Sequence, residues 1–219
     1  MKIVSILGIE RGDYSYYLSL LLKALKGAVL VIDNSLTGNL FDCVTRNNQQ
    51  AIQDRCLEYQ NIAFVRGVEY AEETFEKFDY VVNFNGFNHC DEIVAKSDHI
   101  FVMPDYHLDT LQKTKEIFDE LQNQIDEPEG YKAFIIMRDL INEKITDLSV
   151  ASYIGVDAER IVGHIGMDGA DFAKQLSFEY NGKQSVKGLS ADFCDALSFV
   201  LLQVTGKDPK LIKKLFKKS

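Results

Sequence analysis

Gly8, Glu10, Arg11, Gly12, Asp13, Tyr14 and Ser15 stand between an apolar run, Lys2 to Leu7, and a Leu-rich stretch of helical periodicity. A strand that ends in a glycine-bearing loop and re-enters a helix can wrap backbone N–H groups around phosphate oxygens, with a lysine reaching the terminal phosphates. Here the place of that lysine reads Tyr14, and Glu10 and Asp13 stand where phosphate oxygens would approach. Carboxylates repel a triphosphate through the same Coulomb term by which a lysine holds it. Within the loop Arg11 alone opposes them. The spacing predicts a phosphate-binding scaffold without its catalyst.

Each of these residues also has a plainer reading. Asp at the start of a helix is a frequent N-cap, and a carboxylate there would fill the anion site that a helix N-terminus offers. That role is favoured for Asp13 over a catalytic one. Tyr14, Tyr16 and Tyr17 would form either a partner-binding surface or core, and aromatics at a helix start are more often core. Asp33 closes an apolar strand, either as a polar terminus or as the remnant of a switch. Four histidines show no ligand spacing and four cysteines contain no C-x-x-C pair, so no metal site is expected and reduced thiols of a cytoplasmic protein are.

The elements that must position these groups follow from periodicity. Strand-length apolar runs at 28–33, 61–65, 79–83, 99–103, 133–137 and 160–165 alternate with helical patterns near 16–25, 69–75, 92, 108–124, 145–154, 168–176 and 187–204. Asp126-Glu-Pro-Glu-Gly130 reads as a stop signal. Such alternation predicts an α/β fold: three layers, a mostly parallel twisted sheet with helices on both faces. The 219 residues suffice for one domain over 1–206, followed by a tail at 207–219. Neither a membrane span nor a secretion signal is expected. Net charge is −9, yet 207–219 holds six lysines against one Asp, or +5, leaving −14 on 1–206. An acidic body argues against nucleic-acid binding.

The order of elements and three motifs resemble the MinD/ParA family of P-loop ATPases over nearly the whole chain. The family loop reads K-G-G-x-G-K-[ST]-T; laid over it, Ile9 takes the signature lysine, Asp13 the last glycine and Tyr14 the second lysine, while Ser15 keeps the Mg²⁺-binding hydroxyl. Val29-Leu-Val-Ile-Asp33-Asn-Ser35-Leu-Thr-Gly38-Asn39-Leu40 matches the family's L-L-I-D-x-D-x-Q-G-N-L, with Ser35 in place of the water-preparing aspartate. Phe78-Asp-Tyr-Val-Val-Asn83-Phe84-Asn85-Gly86 matches Y-D-Y-V-I-I-D-T-P-P, with Phe84 between Asn83 and Asn85 in place of the metal aspartate. Val94 to Pro104 is similar to the family's A-x-x-A-D-x-v-i-v-P. Phosphoryl transfer depends on positioning and charge neutralisation at the groups that are missing. The resemblance with its losses implies a pseudo-ATPase, similar in role to the degenerate members that localise Flp/Tad-type pilus assembly. No cofactor is expected, the alternative being weak ATP or ADP with Mg²⁺ in a switch where Arg11 or a partner's lysine supplies the charge. A homodimer is implied by resemblance alone.

In the tail, Asp208-Pro209 starts a helix. Leu211, Ile212, Leu215 and Phe216 fall on one side, with Lys210, Lys213, Lys214, Lys217 and Lys218 opposite. That pattern suits a helix lying on an anionic membrane surface, as in MinD-type proteins. Alternatively it is a last helix packed on the body, or a charged solubilising end, leaving a scaffold without a membrane role. The expectation is a cytoplasmic adaptor, peripheral on the inner membrane face, meeting protein partners of a membrane-associated machine.

Overall fold

Beyond Lys2, every side chain of β1 (Lys2–Leu7) is buried, Val4 and Ile6 on one face and Ile3 and Leu7 on the other. A strand covered on both faces belongs in the middle of a parallel sheet. The computed structural model describes residues 1–48, 56–67, 72–124, 133–140, 145–181 and 185–218. After β1 come α1 (Asp13–Ala24), β2 (Val29–Asp33), α2 (Asn39–Asn48), β3 (Cys56–Tyr59) and β4 (Ile62–Arg66). A 3-10 helix (Glu72–Lys77), β5 (Tyr80–Gly86), α3 (Glu92–Ala95), β6 (His99–Val102), α4 (Leu108–Gln124) and β7 (Ala133–Leu140) follow. The remainder is α5 (Asp147–Ile154), a 3-10 turn (Ala158–Arg160), β8 (Ile161–Gly166), α6 (Gly169–Asn181), α7 (Ala191–Thr205) and α8 (Pro209–Lys218).

The strands form one sheet in the order β3-β4-β2-β5-β1-β6-β7-β8. All neighbours pair in parallel except β3 with β4, which are antiparallel. Alternate residues feed opposite layers: Val29, Val31, Phe101 and Ile136 pack with α1, α2, α6 and α7, whereas Ile100, Val102, Ile135 and Met137 pack with α4 and α5. The three-layer α/β architecture is as the alternation predicts. Loops after β1, β2, β5, β6 and β8 leave the sheet at one edge, where open α/β sheets bind ligands.

Several expectations change. Helix α1 starts at Asp13, and its N-cap is Gly12 with no side-chain cap bond. Asp13 is therefore not the cap, because its carboxylate is engaged elsewhere. The favoured core reading of Tyr14, Tyr16 and Tyr17 holds, since all three are buried. Helix α2 and strand β3 are additional elements. Helix α2 has its N-terminus held from outside, Asp33 accepting the Phe41 N–H at 2.8 Å, and no local cap announces it. Strand β5 runs three residues beyond the expected 83. The anticipated stop at 126–130 lies outside the described residues.

The C-terminal helix forms where Asp208-Pro209 places it, the Asp208 carboxylate accepting the Lys210 N–H at 2.7 Å. It is not a detached tail. Ile212 (0% exposed) and Leu215 (9%) join the same core cluster as α7, and Phe216 packs against it. Leu211 stays 43% exposed, and Lys210, Lys213, Lys214 and Lys217 face solvent.

Candidate functional site

At the C-terminal edge the charges of the first loop are answered from β7. The backbone of β7 bulges between Arg138 and Leu140, and Asp139 sits at φ 56. Left-handed backbone is several-fold enriched in Asp over most residues but still uncommon. The bulge sends neighbouring side chains to different partners. Arg138 donates to both carboxylate oxygens of Asp13, at 3.0 and 3.2 Å, in a pair whose side chains are 4% and 3% exposed. Asp139 accepts from Arg11, whose other amino group donates to Gln175 at 3.3 Å. Arg11-x-Asp13 and Arg138-Asp139 thus neutralise each other reciprocally. Burial works most strongly against the Arg138 charge, but the charge and hydrogen bonds of Asp13, with Asp139 and Tyr14 adding to them, together outweigh it and hold Arg138 above the ordinary arginine value. The guanidinium also lies over the Phe193 ring of α7, 5.3 Å from its centroid.

Glu10 turns the other way. Its Oε1 accepts the Phe87 N–H at 2.8 Å, and its Oε2 accepts the Thr37 hydroxyl at 2.8 Å and the Thr37 N–H at 3.4 Å. Gly86 makes room for it, since a Cβ there would stand 2.4 Å from Glu10 Oε1. Gly12 likewise serves packing: a Cβ would stand 2.6 Å from that of Leu40 on α2. The loop glycines admit neighbouring side chains.

Behind the loop, Asp33 and Ser35 form one buried unit. The Ser35 hydroxyl donates to Asp33 Oδ1 at 2.6 Å and accepts the Gly38 N–H at 3.1 Å. Arg66 of β4 donates to the Asp33 and Ser35 carbonyls at 3.0 and 2.7 Å. Burial raises the Asp33 carboxyl above its usual range, opposed by the bonds from Ser35 and Phe41 and by the Arg66 charge. Asn34 donates to Asn85 Oδ1 at 2.9 Å and to Asp91 at 2.6 Å, stitching the loops after β2 and β5. Asn83 is fully buried one pleat earlier and donates to the Ser5 hydroxyl at 3.1 Å.

The positions that phosphate chemistry needs are filled differently. Tyr14 points into the core, 5.5 Å from Phe193 between ring centroids, and burial pushes its phenol far above the ordinary value. The Ser15 hydroxyl is sealed from solvent with no hydrogen-bond partner among the described residues. Phe84 is core. Among the described residues these side chains do not fit a Mg²⁺–triphosphate: no lysine lines the cavities beside the loop, Arg11 is engaged, and positions 35 and 84 carry Ser and Phe. The described residues contain no metal-holding group of His, Cys, Asp and Glu.

The structure brings Gly8, Glu10, Arg11, Gly12, Asp13, Asp33, Ser35 and Asn85 to one edge, with Asn83, Tyr14 and Ser15 buried beneath it. The α8 residues lie elsewhere, on α7. Sequence reasoning missed Arg138, Asp139, Thr37 and Arg66. A signal existed for the first two: a charged dipeptide near the end of an otherwise apolar strand, in the same basic-then-acidic order as Arg11-x-Asp13.

No family model and no curated protein matches the chain. Solved structures do. The MinC:MinD cell division complex of Aquifex aeolicus superposes with TM-score 0.69, covering 95% of this chain and 97% of that one at 12% identity. A ParA family ATPase from Chlorobium tepidum gives 0.61, with 99% and 98% coverage at 13% identity. Cyanothece McdA without nucleotide gives 0.58, with 98% and 99% coverage at 12% identity. These likenesses show that the chain has the MinD/ParA-like P-loop NTPase fold.

Proposed function

We propose that this chain is a catalytically silent positioning adaptor on the MinD/ParA-like fold, meeting protein partners of a pilus, secretion or division machine at the cytoplasmic face of a membrane. The observation that carries the reading is the reciprocal pairing of Arg11 with Asp139 and Asp13 with Arg138. It leaves the loop without net positive charge for a triphosphate, and phosphoryl transfer depends on such charge. The MinD neighbour was solved with MinC, which supports protein partners here as well. Purified protein with Mg-ATP is the test. No turnover above buffer and no calorimetric binding are expected. Turnover that Ser15→Ala abolishes would overturn the proposal, and micromolar binding would favour a nucleotide switch.

The membrane part rests on α8. With Ile212 and Leu215 already packed on the body, adhesion would come from the exposed lysines, about 1 kcal/mol each near an anionic leaflet, with little insertion. Co-sedimentation with anionic vesicles should fall when Lys210, Lys213, Lys214 and Lys217 become Glu. Unchanged sedimentation leaves a soluble scaffold.

A further inference from the structure

Glu10 is held at this edge by donors from beyond its own loop. Its two carboxylate oxygens are held by donors on two different loops, Oε1 by the Phe87 N–H after β5 and Oε2 by the hydroxyl and N–H of Thr37 after β2. Glu10 itself belongs to the loop after β1, so one anion joins three loops. The seat is shaped for it. Gly86 has φ +60, and any side chain there would collide with Oε1. On its Phe87 side the seat adjoins a cavity of about 290 Å³ that Glu10, Arg11, Asp105, Thr110 and Asp139 also line. Convergent backbone N–H groups with a hydroxyl are the donor set that binds oxyanions.

We propose that Thr37 and Phe87 form an oxyanion seat that the chain closes with its own carboxylate, and that Glu10 thereby clamps the loops after β1, β2 and β5 in one arrangement without a bound ligand. A free oxyanion such as inorganic phosphate has the same chemistry as the carboxylate and takes the seat when Glu10 is shortened. Mutual repulsion excludes it while Glu10 is present. The loops that elsewhere in such folds order and disorder with a bound phosphate are here held by a covalently tethered anion, whose effective concentration cannot be diluted. The inference goes beyond the adaptor reading and does not need it, because it concerns what holds the loops and not what the protein meets.

The experiment compares wild type with Glu10→Ala, titrating inorganic phosphate against chloride at matched ionic strength. Thermal midpoints and ¹⁵N–¹H shifts of the Thr37 and Phe87 amides are read together. Saturable stabilisation of Glu10→Ala, with both amides shifting and the wild type unmoved, is expected. Equal responses in both proteins, or Thr37 and Phe87 amides that do not move in the variant, overturn the seat. Should Glu10→Ala fold poorly, Glu10→Gln keeps the shape and removes the charge. Hydrogen exchange at the Thr37 and Phe87 amides should then quicken at least tenfold with the β1 amides unchanged, and unaltered exchange overturns the clamp. ATP turnover by wild type would sink the adaptor reading and leave this result standing; indifference to phosphate does the reverse.

Discussion

Replacing Arg138 with Met tests the reciprocal pairing at its most buried point. Arg138 and Asp13 lose nearly all contact with solvent, at 4% and 3% side-chain exposure, and share two hydrogen bonds of 3.0 and 3.2 Å. Met fills much of the same volume, so the principal loss is electrostatic: a carboxylate remains in the core without its cation. Removing one partner of a buried pair costs about 3–5 kcal/mol. The contact with the Phe193 ring adds a further loss of about 0.5–2 kcal/mol. For a domain of this size about 2–4 °C accompany each kcal/mol, so the pair alone predicts a midpoint lowered by roughly 6–20 °C. Calorimetry and urea unfolding measure it. The decisive arm is the double variant Asp13→Leu/Arg138→Met. An apolar pair of similar volume is often neutral or better than a buried ion pair, so the double variant should recover most of the loss. A single variant within about 1 kcal/mol of wild type, or a double variant no more stable than the single, would refute the argument.

Three further outcomes follow from other elements. The Glu120 carboxyl lies below its usual range, chiefly because it accepts the Cys90 N–H, with the His89 ring adding to this against some desolvation. A depressed carboxyl contributes stability above its unfolded value of about 4.3 and loses it as pH falls through the folded value. Thermal scans should show wild type losing more than Glu120→Gln on acidification, and parallel curves would contradict this. Burial raises the Cys90 thiol to about 12 and the Cys43 thiol to about 11, the neighbouring carboxylates Glu120 and Glu179 adding to it. Peptide-level labelling at neutral pH should leave both unmodified until the protein unfolds; rapid modification of either in the native state counts against the packing. Ile212→Ala in α8 removes a fully buried side chain and should destabilise by about 2–5 kcal/mol. An unchanged urea midpoint would mean that the helix is not docked.

Sheet and layers were legible because each central strand is a nearly unbroken apolar run, and periodicity separates such runs from the helices between them. Helix α4 matches its expected bounds of 108–124, having a clean amphipathic pattern. Helix α2 was hidden because its first turn is held by Asp33, eight residues before Phe41 and on a strand. The residue types at Tyr14, Ser35 and Phe84 were visible. The ion pairs around them were not. Arg11 meets Asp139 across 128 residues and Asp13 meets Arg138 across 125, and a bulge that turns successive residues toward different partners leaves no periodic trace. For α8 the amphipathic pattern gave the helix correctly, but an apolar stripe reads the same whether a lipid surface or α7 covers it.

Substituting single positions would not build a phosphate site, because each residue concerned is tied to its surroundings. Tyr14 is fully buried beside Phe193 and close enough to Arg138 for that charge to lower its phenol's value against the effect of burial. A lysine there would enter the core beside an existing cation, and desolvation with like-charge repulsion would drive it toward the neutral form. Phe84 packs in the main core and Ser35 bonds Asp33, so an aspartate at either would be a second buried anion in contact with apolar side chains or with Asp33 itself. These positions are held within the core and within internal ion pairs. Seating a phosphate-binding lysine at position 14 would therefore require changing Tyr14, Arg138 and Asp13 together, since the lysine alone leaves an uncompensated charge in the interior.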